Sequence, residues 1–391
     1  MHNLIKKILR EEVGVPRGIV DSAKVLYTDL ISRLKRKTIT GNSNFSLLFK
    51  NKDGKFSFSD FKDFENIKIE FEFVGYDDSM NPSHSGILVM GLGHQSSSQL
   101  NDIFDLVSVT DDTITLSINF AIPTSIPEIT NKDIIKTLTD DDKTIISGLS
   151  HELKHAYDGY KKPTVKIKNR APYSVYSNVR VGINEVDEFI YFLYFITAIE
   201  NLVRPSEIYS LMQEGNISRE DFLEFISSNT TYQTLKKINN FSVDNMISSL
   251  KEKPEIIDIF IAKNTDYDIP EDIDKKIELF FYVLYVELSR NILDRANSML
   301  TNNFFEAFFG ISEEKQKFLD AYETELLRFK NNPLKYFEFQ EKKFKFVSEK
   351  MMKRLSKLYS LAKPNPIKLV NKDPMTFEMR MLESKPRNIK S

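Results

Sequence analysis

The sequence predicts an α+β fold, and three observations predict it. Between residues 45 and 122, apolar side chains recur at every second position, the signature of strands. From residue 140 to 212 they recur at every third or fourth position, and from 213 onward only helical periodicity remains. The expected order is therefore a small, mostly antiparallel sheet, two helices following it, and a large all-helical C-terminal half. Four segments result: a helical segment 1–40, the sheet with its two helices at 41–212, a helical domain 213–363, and a basic extended tail 364–391.

The N-terminal segment begins with a short basic helix, breaks at Val15-Pro16-Arg17-Gly18, and resumes from about Ile19 to Arg36. Ser46–Phe49 and Lys55–Ser59 flank Asp53-Gly54, which predicts a hairpin. Ile67, Ile69, Phe71 and Phe73 alternate with Lys68, Glu70 and Glu72, so one face of this strand meets water. Gly86–Gly91 is a short continuous apolar run and reads as a central strand. Ile114, Leu116, Ile118, Phe120 and Ile122 alternate again and stop at Pro123.

The next element carries the chemistry. Asp140–Tyr160 reads as one amphipathic helix with Ile145, Leu149, Leu153, Ala156 and Tyr160 as its apolar stripe. Acidic residues sit at its N-terminal end, and Gly159 and Pro163 mark its stop. Within it stands His151-Glu152-Leu153-Lys154-His155. Histidines four apart on a helix lie one above the other, so both imidazoles can hold one ion. Glu152 flanks that face, where a carboxylate can act as general base on a water held by the ion. Gly148 lies one turn earlier on the same face, which suggests a close approach there. Asp158 follows at the same face, either as a carboxylate that orients a histidine or as an ordinary polar residue at a helix end.

A catalytic zinc site needs a third protein ligand. The chain has no cysteine, and His2, His84 and His94 lie outside helical ligand-like contexts, so a carboxylate is expected. Candidates lie in the next helix, read as Asn184–Met212. Glu200 is the one charge between Phe189 and Val203; a carboxylate in so apolar a run requires a cation, either zinc or Arg204 four residues on. Glu185, in the first turn, is the alternative ligand.

The His151–His155 motif resembles the active-site helix of the zincin metallopeptidases, in the gluzincin-type branch whose third ligand is a Glu on a following helix. Asn184-Glu185 is similar to the ligand-bearing pair of thermolysin-like enzymes, but Phe189 stands where those have Asp. Tyr194-Phe195 and Glu200–Arg204 instead resemble uncharacterised zincin-like proteins of phages and their bacterial hosts. The resemblance spans residues 110–212 and implies a zincin-like catalytic domain over 41–212. It further implies zinc on His151, His155 and Glu200, Glu152 as general base, and a protein or peptide substrate. By analogy Thr113–Ile122 would offer a substrate-binding edge, or else lie inside the sheet. Tyr173, Tyr176 and Arg180, in a basic aromatic loop at 161–183, are the available oxyanion donors.

The remaining helices are expected at Asp221–Ser227, Thr231–Ile238, Val243–Glu252, Glu255–Lys263 and Ile273–Leu300. A charged helical pair at Glu313–Asn331 and Lys335–Leu361 turns around Pro333. This half and the basic tail are the candidate surface for an assembly partner. A net charge of −2 over 391 residues gives no bulk attraction to nucleic acid or to an anionic membrane. Lack of cysteine excludes a disulfide scaffold. No export signal or membrane span is read, so a cytoplasmic or virion-associated setting is expected. The competing expectation to a peptidase is a structural, virion-associated interaction protein that retains a zincin-like domain.

Overall fold

A computed structural model describes residues 17–39, 41, 43–50, 65–76, 88–90, 104–109, 113–126, 128–161, 179–301, 324 and 327–363. The chain runs as helix α1 (Arg17–Arg36), strands β1 (Phe45–Lys50), β2 (Asn66–Tyr76), β3 (Leu88–Met90), β4 (Phe104–Val109) and β5 (Thr113–Pro123), then helices α2 (Asn131–Asp140) and α3 (Asp142–Lys161). Helices α4 (Asn184–Phe195), α5 (Ala198–Glu214), α6 (Phe222–Ser228), α7 (Thr230–Asn239), α8 (Val243–Lys251), α9 (Pro254–Asn264), α10 (Ile273–Thr301) and α11 (Pro333–Ser356) follow, with a 3-10 turn at Lys357–Leu361. The architecture is α+β and mostly helical. Among the described residues no helix is long and apolar enough to cross a membrane.

The sheet is mixed. β1 pairs antiparallel with β2, while β3 and β4 both pair antiparallel with β5. The longest pairing, β2 with β5, is parallel, from Asn66 opposite Thr113 to Tyr76 opposite Pro123. A mostly antiparallel sheet was expected; three of the four described pairings are antiparallel and this ladder is the exception. β5 has neighbours on both sides, so it is an interior strand and not an open edge. Its alternation misleads because Thr115, Ser117 and Asn119, on the face that reads as wet, are themselves buried. The strand within 86–91 is short and lies outside β5 instead of at the centre. β1 takes β2 as its partner; the expected hairpin strand at 55–59 lies outside the described residues. So do the first basic helix, most of 313–331 and the tail.

Two apolar cores form. In one, Ile114, Leu116, Ile118, Phe120 and Ile122 of β5 meet Ile67, Ile69 and Phe71 of β2 and are covered by α1, α2 and α3 through Leu26, Leu30, Ile134, Leu149 and Leu153. The other gathers α4 and α5 with the later helices, around Phe189, Phe192, Phe280, Phe337 and Phe344. Helix starts follow their caps. Thr130 and Asp133 close a reciprocal capping box on α2, and the Asp141 carboxylate accepts the Thr144 backbone N–H at the start of α3. The expected helix 140–160 therefore begins at Asp142, with Asp140 ending the helix before it.

Candidate metal centre

α3 and α5 cross where the two cores meet, and the chemistry lies at the crossing. α3 presents its apolar stripe to the sheet, with Ile145, Leu149, Leu153 and Ala156 all buried. The stripe leaves His151 and His155 turned to α5, both buried. Ser147 Oγ donates to the Glu207 carbonyl at 3.0 Å and ties the two helices together. Gly148 is buried in the same stretch.

The expected helix 184–212 is two helices. Ile196 ends α4, and Thr197, with φ −58° and ψ 149°, is extended and starts α5 by accepting the Glu200 backbone N–H on its hydroxyl. The break places Glu200 in a first helical turn, where the positive helix end favours a carboxylate. A continuous helix would have left it in mid-span.

Three candidate ligands converge. His151 Nε2 and His155 Nε2 stand 3.0 Å apart. Glu200 reaches both, with Oε1 3.4 Å from His155 Nε2 and Oε2 3.5 Å from His151 Nε2. Zinc bonds of about 2.0–2.1 Å in a tetrahedron require ligand atoms about 3.3 Å apart, so the spacing fits one ion. Glu152 Oε1 is 3.7 Å from His151 Nε2, and His151, Glu152 and His155 offer ligand atoms within 4.8 Å of one another. Glu200 is thus nearer His151 Nε2 than Glu152 is, and Glu152 belongs to the same cluster.

The surroundings prepare the donors. His151 Nδ1 lies 3.1 Å from Glu207 Oε2. A neutral His151 donating that proton to Glu207 turns the lone pair of Nε2 towards His155 and Glu200, the form a metal ligand requires. Arg204 lies between two carboxylates, with Nη2 3.2 Å from Glu200 Oε2 and Nη1 3.1 Å from Glu207 Oε2. Its guanidinium also sits 4.6 Å from the centre of the Phe195 ring. Both readings of Glu200 from the sequence, zinc ligand and partner of Arg204, are therefore compatible with one geometry.

Charge decides what the cluster needs. With neutral imidazoles, Glu152, Glu200 and Glu207 set three negative charges against the two of Arg204 and Lys154, so the buried group is negative on balance. A bound cation, or a proton on an imidazole, would offset that charge. Burial opposes a proton on His151, yet the Glu207 contact and the charges of Glu200 and Glu152 outweigh it and lift the imidazole to about 9. Burial likewise pushes Glu200 up, but His155, Arg204 and His151 hold it well below the usual carboxylate range. Glu207 is lowered too: burial is overcome by the Arg204 charge and the His151 hydrogen bond. Glu200 Oε2, fully buried, accepts no hydrogen bond among the described residues, and Arg204 Nη2 at 3.2 Å is its charged neighbour.

The other candidates separate from this cluster. Glu185, the alternative ligand, is half-buried in the first turn of α4. There it lines a groove with Glu188, Lys236 and Lys237, and it has no described contact with either histidine. Arg180 is exposed and likewise makes no described contact there. The side chain of Asp158, and Tyr173 and Tyr176, lie outside the described residues. The orienting carboxylate found on His151 is Glu207, which reading α3 alone misses. Its signal was present: Glu200, Arg204 and Glu207 fall at i, i+4 and i+7, one face of one helix. No family model, curated protein or solved structure matches the chain.

Proposed function

We propose that the chain is a zinc-dependent peptidase of zincin-like type that cleaves a protein or peptide substrate. One observation carries the reading: two Nε2 atoms and a carboxylate lie 3.0, 3.4 and 3.5 Å apart, with a second carboxylate alongside. His151, His155 and Glu200 would hold the zinc, and Glu152 would stay off it as the general base. Bound zinc supplies a water of near-neutral pKa and polarisation of the scissile carbonyl. Glu152 takes the proton of the attacking water and returns it to the leaving amine as the C–N bond breaks. Glu207 keeps the Nδ1 proton of His151 engaged, and Arg204 offsets Glu200 and Glu207 so that the carboxylates remain ionised in a buried site.

A second reading, a closed structural centre, draws support from the Arg204–Glu200 pair and from Glu152 being only 6% exposed. Metal content and cleavage of a broad peptide library, measured for wild type and Glu152→Gln, separate the two. The peptidase reading expects zinc at one per chain in both, with turnover falling by about 10²–10⁴ in the variant, the range of a lost general base. Zinc in both with no cleavage by wild type would favour the structural centre. Absence of zinc from both after reconstitution would end the metal reading.

A further inference from the structure

Glu207 has two bonded oxygens, and only one serves the centre. Oε2 takes His151 Nδ1 and Arg204; Oε1 accepts the Thr231 hydroxyl at 3.2 Å. Thr231 belongs to α7, in the helical half, and is 1% exposed. The N-cap of this helix is Asn229, which accepts the Tyr232 N–H, so the start of α7 is capped without Thr231. The partner of Thr231 is a wholly buried carboxylate 24 residues earlier.

We propose that Thr231 is a positioning residue for the metal centre, acting through Glu207 on His151; the inference rests on the metal reading above. A glutamate carboxylate turns about its last bond, and Arg204 offers it a stronger partner than an imidazole does. With Oε1 anchored on α7, Oε2 is held where it meets His151 Nδ1 and Arg204 together. Without the anchor, Oε1 becomes a buried acceptor lacking that donor, and the carboxylate turns to place both oxygens on the guanidinium. His151 then loses the contact that orients its ring and presents the Nε2 lone pair to the ion. The helical half thereby contributes a hydroxyl to a centre whose ligands all lie before residue 201.

Zinc affinity of the full chain, read by competition with a chromophoric chelator, tests this. Thr231→Val is expected to weaken zinc about tenfold, the lower end of the 10–100-fold loss for outer contacts of a metal ligand. Thr231→Ser, which keeps the hydroxyl, should bind within about twofold of wild type, a rescue that a general packing role would not give. Thr231→Val placed in a Glu207→Gln background should add little, since both act through one contact. A folded Thr231→Val protein with wild-type affinity would overturn the proposal, as would a full tenfold loss in the Glu207→Gln background. Should Thr231→Val fail to fold, Glu207→Gln decides: unchanged affinity overturns the proposal and weakened affinity supports it. A wild type that binds no zinc overturns this inference together with the peptidase reading. Zinc binding sensitive to Thr231 but without cleavage removes the peptidase reading alone.

Discussion

Arg204 is among the largest fully buried side chains, and it stands between the carboxylates of Glu200 and Glu207. Burial works against its charge, but Glu207 and Glu200 raise its pKa well above the ordinary value, so it remains a cation. Arg204→Met keeps much of the volume and leaves two buried carboxylates without it. The expected cost is about 3–5 kcal/mol, the range for breaking a buried pair from one side. Because the deficit is one of charge, saturating zinc should return part of it. Thermal unfolding of both proteins with zinc and with chelator checks this; an equal loss in both conditions would mean that Arg204 serves packing alone. At this scale the sequence was legible where burial could be inferred from neighbours. Glu200 stands out against its apolar run, whereas Glu207 sits between Ser206 and Ile208 and draws attention only once Arg204 is known to face inward.

Pro205 and its remedy bear on how α5 holds Glu200. Pro205 has no N–H to give to the Asn201 carbonyl, the acceptor four residues back. Arg354 of α11 donates to that carbonyl instead, at 2.8 Å, one residue from Glu200. Arg354→Met should cost on the order of 1.5 kcal/mol, typical of a hydrogen bond from a charged donor. An unfolding midpoint unchanged in denaturant would show that water replaces Arg354 without loss. The break before α5 was itself readable, since Thr197-Ala198-Ile199-Glu200 has the spacing of a capping sequence; the strong apolar run across it hid the signal. β5 went the other way. Its alternating Thr115, Ser117 and Asn119 look solvated, and only the strand pairing on both sides reveals an interior strand.

A second element-level contact gives a pH signature. Tyr27 of α1 donates its hydroxyl to the Leu138 carbonyl of α2 at 3.2 Å. Burial, then the charge of Asp142, pushes the phenol up to about 12. Its unfolded value is about 10, so folding favours the neutral phenol. The stabilisation is complete below pH about 10 and is lost as pH rises towards 12. Thermal unfolding between pH 9 and 12 should therefore fall more steeply for wild type than for Tyr27→Phe. Matching slopes would remove Tyr27 from the alkaline transition.

At the scale of the molecule, the candidate centre lies where two cores meet. α3 belongs with the sheet and α5 with the later helices, so His151 and His155 approach from one core and Glu200 from the other. An ion held by all three would cross-link them. Local opening of either helix then requires the ion to leave, and its binding energy appears as protection of both. Hydrogen exchange followed by mass spectrometry, with zinc and with chelator, should therefore show slower exchange in peptides from α3 and from α5 alike. The effect should extend to the start of α7, because Thr231 bonds Glu207 directly. If Glu200 is the ligand that α5 supplies, Glu200→Gln weakens it, and zinc should then protect α3 far more than α5. Protection confined to α3 in the wild type would mean that the histidines bind without Glu200, and the centre would then belong to one core alone.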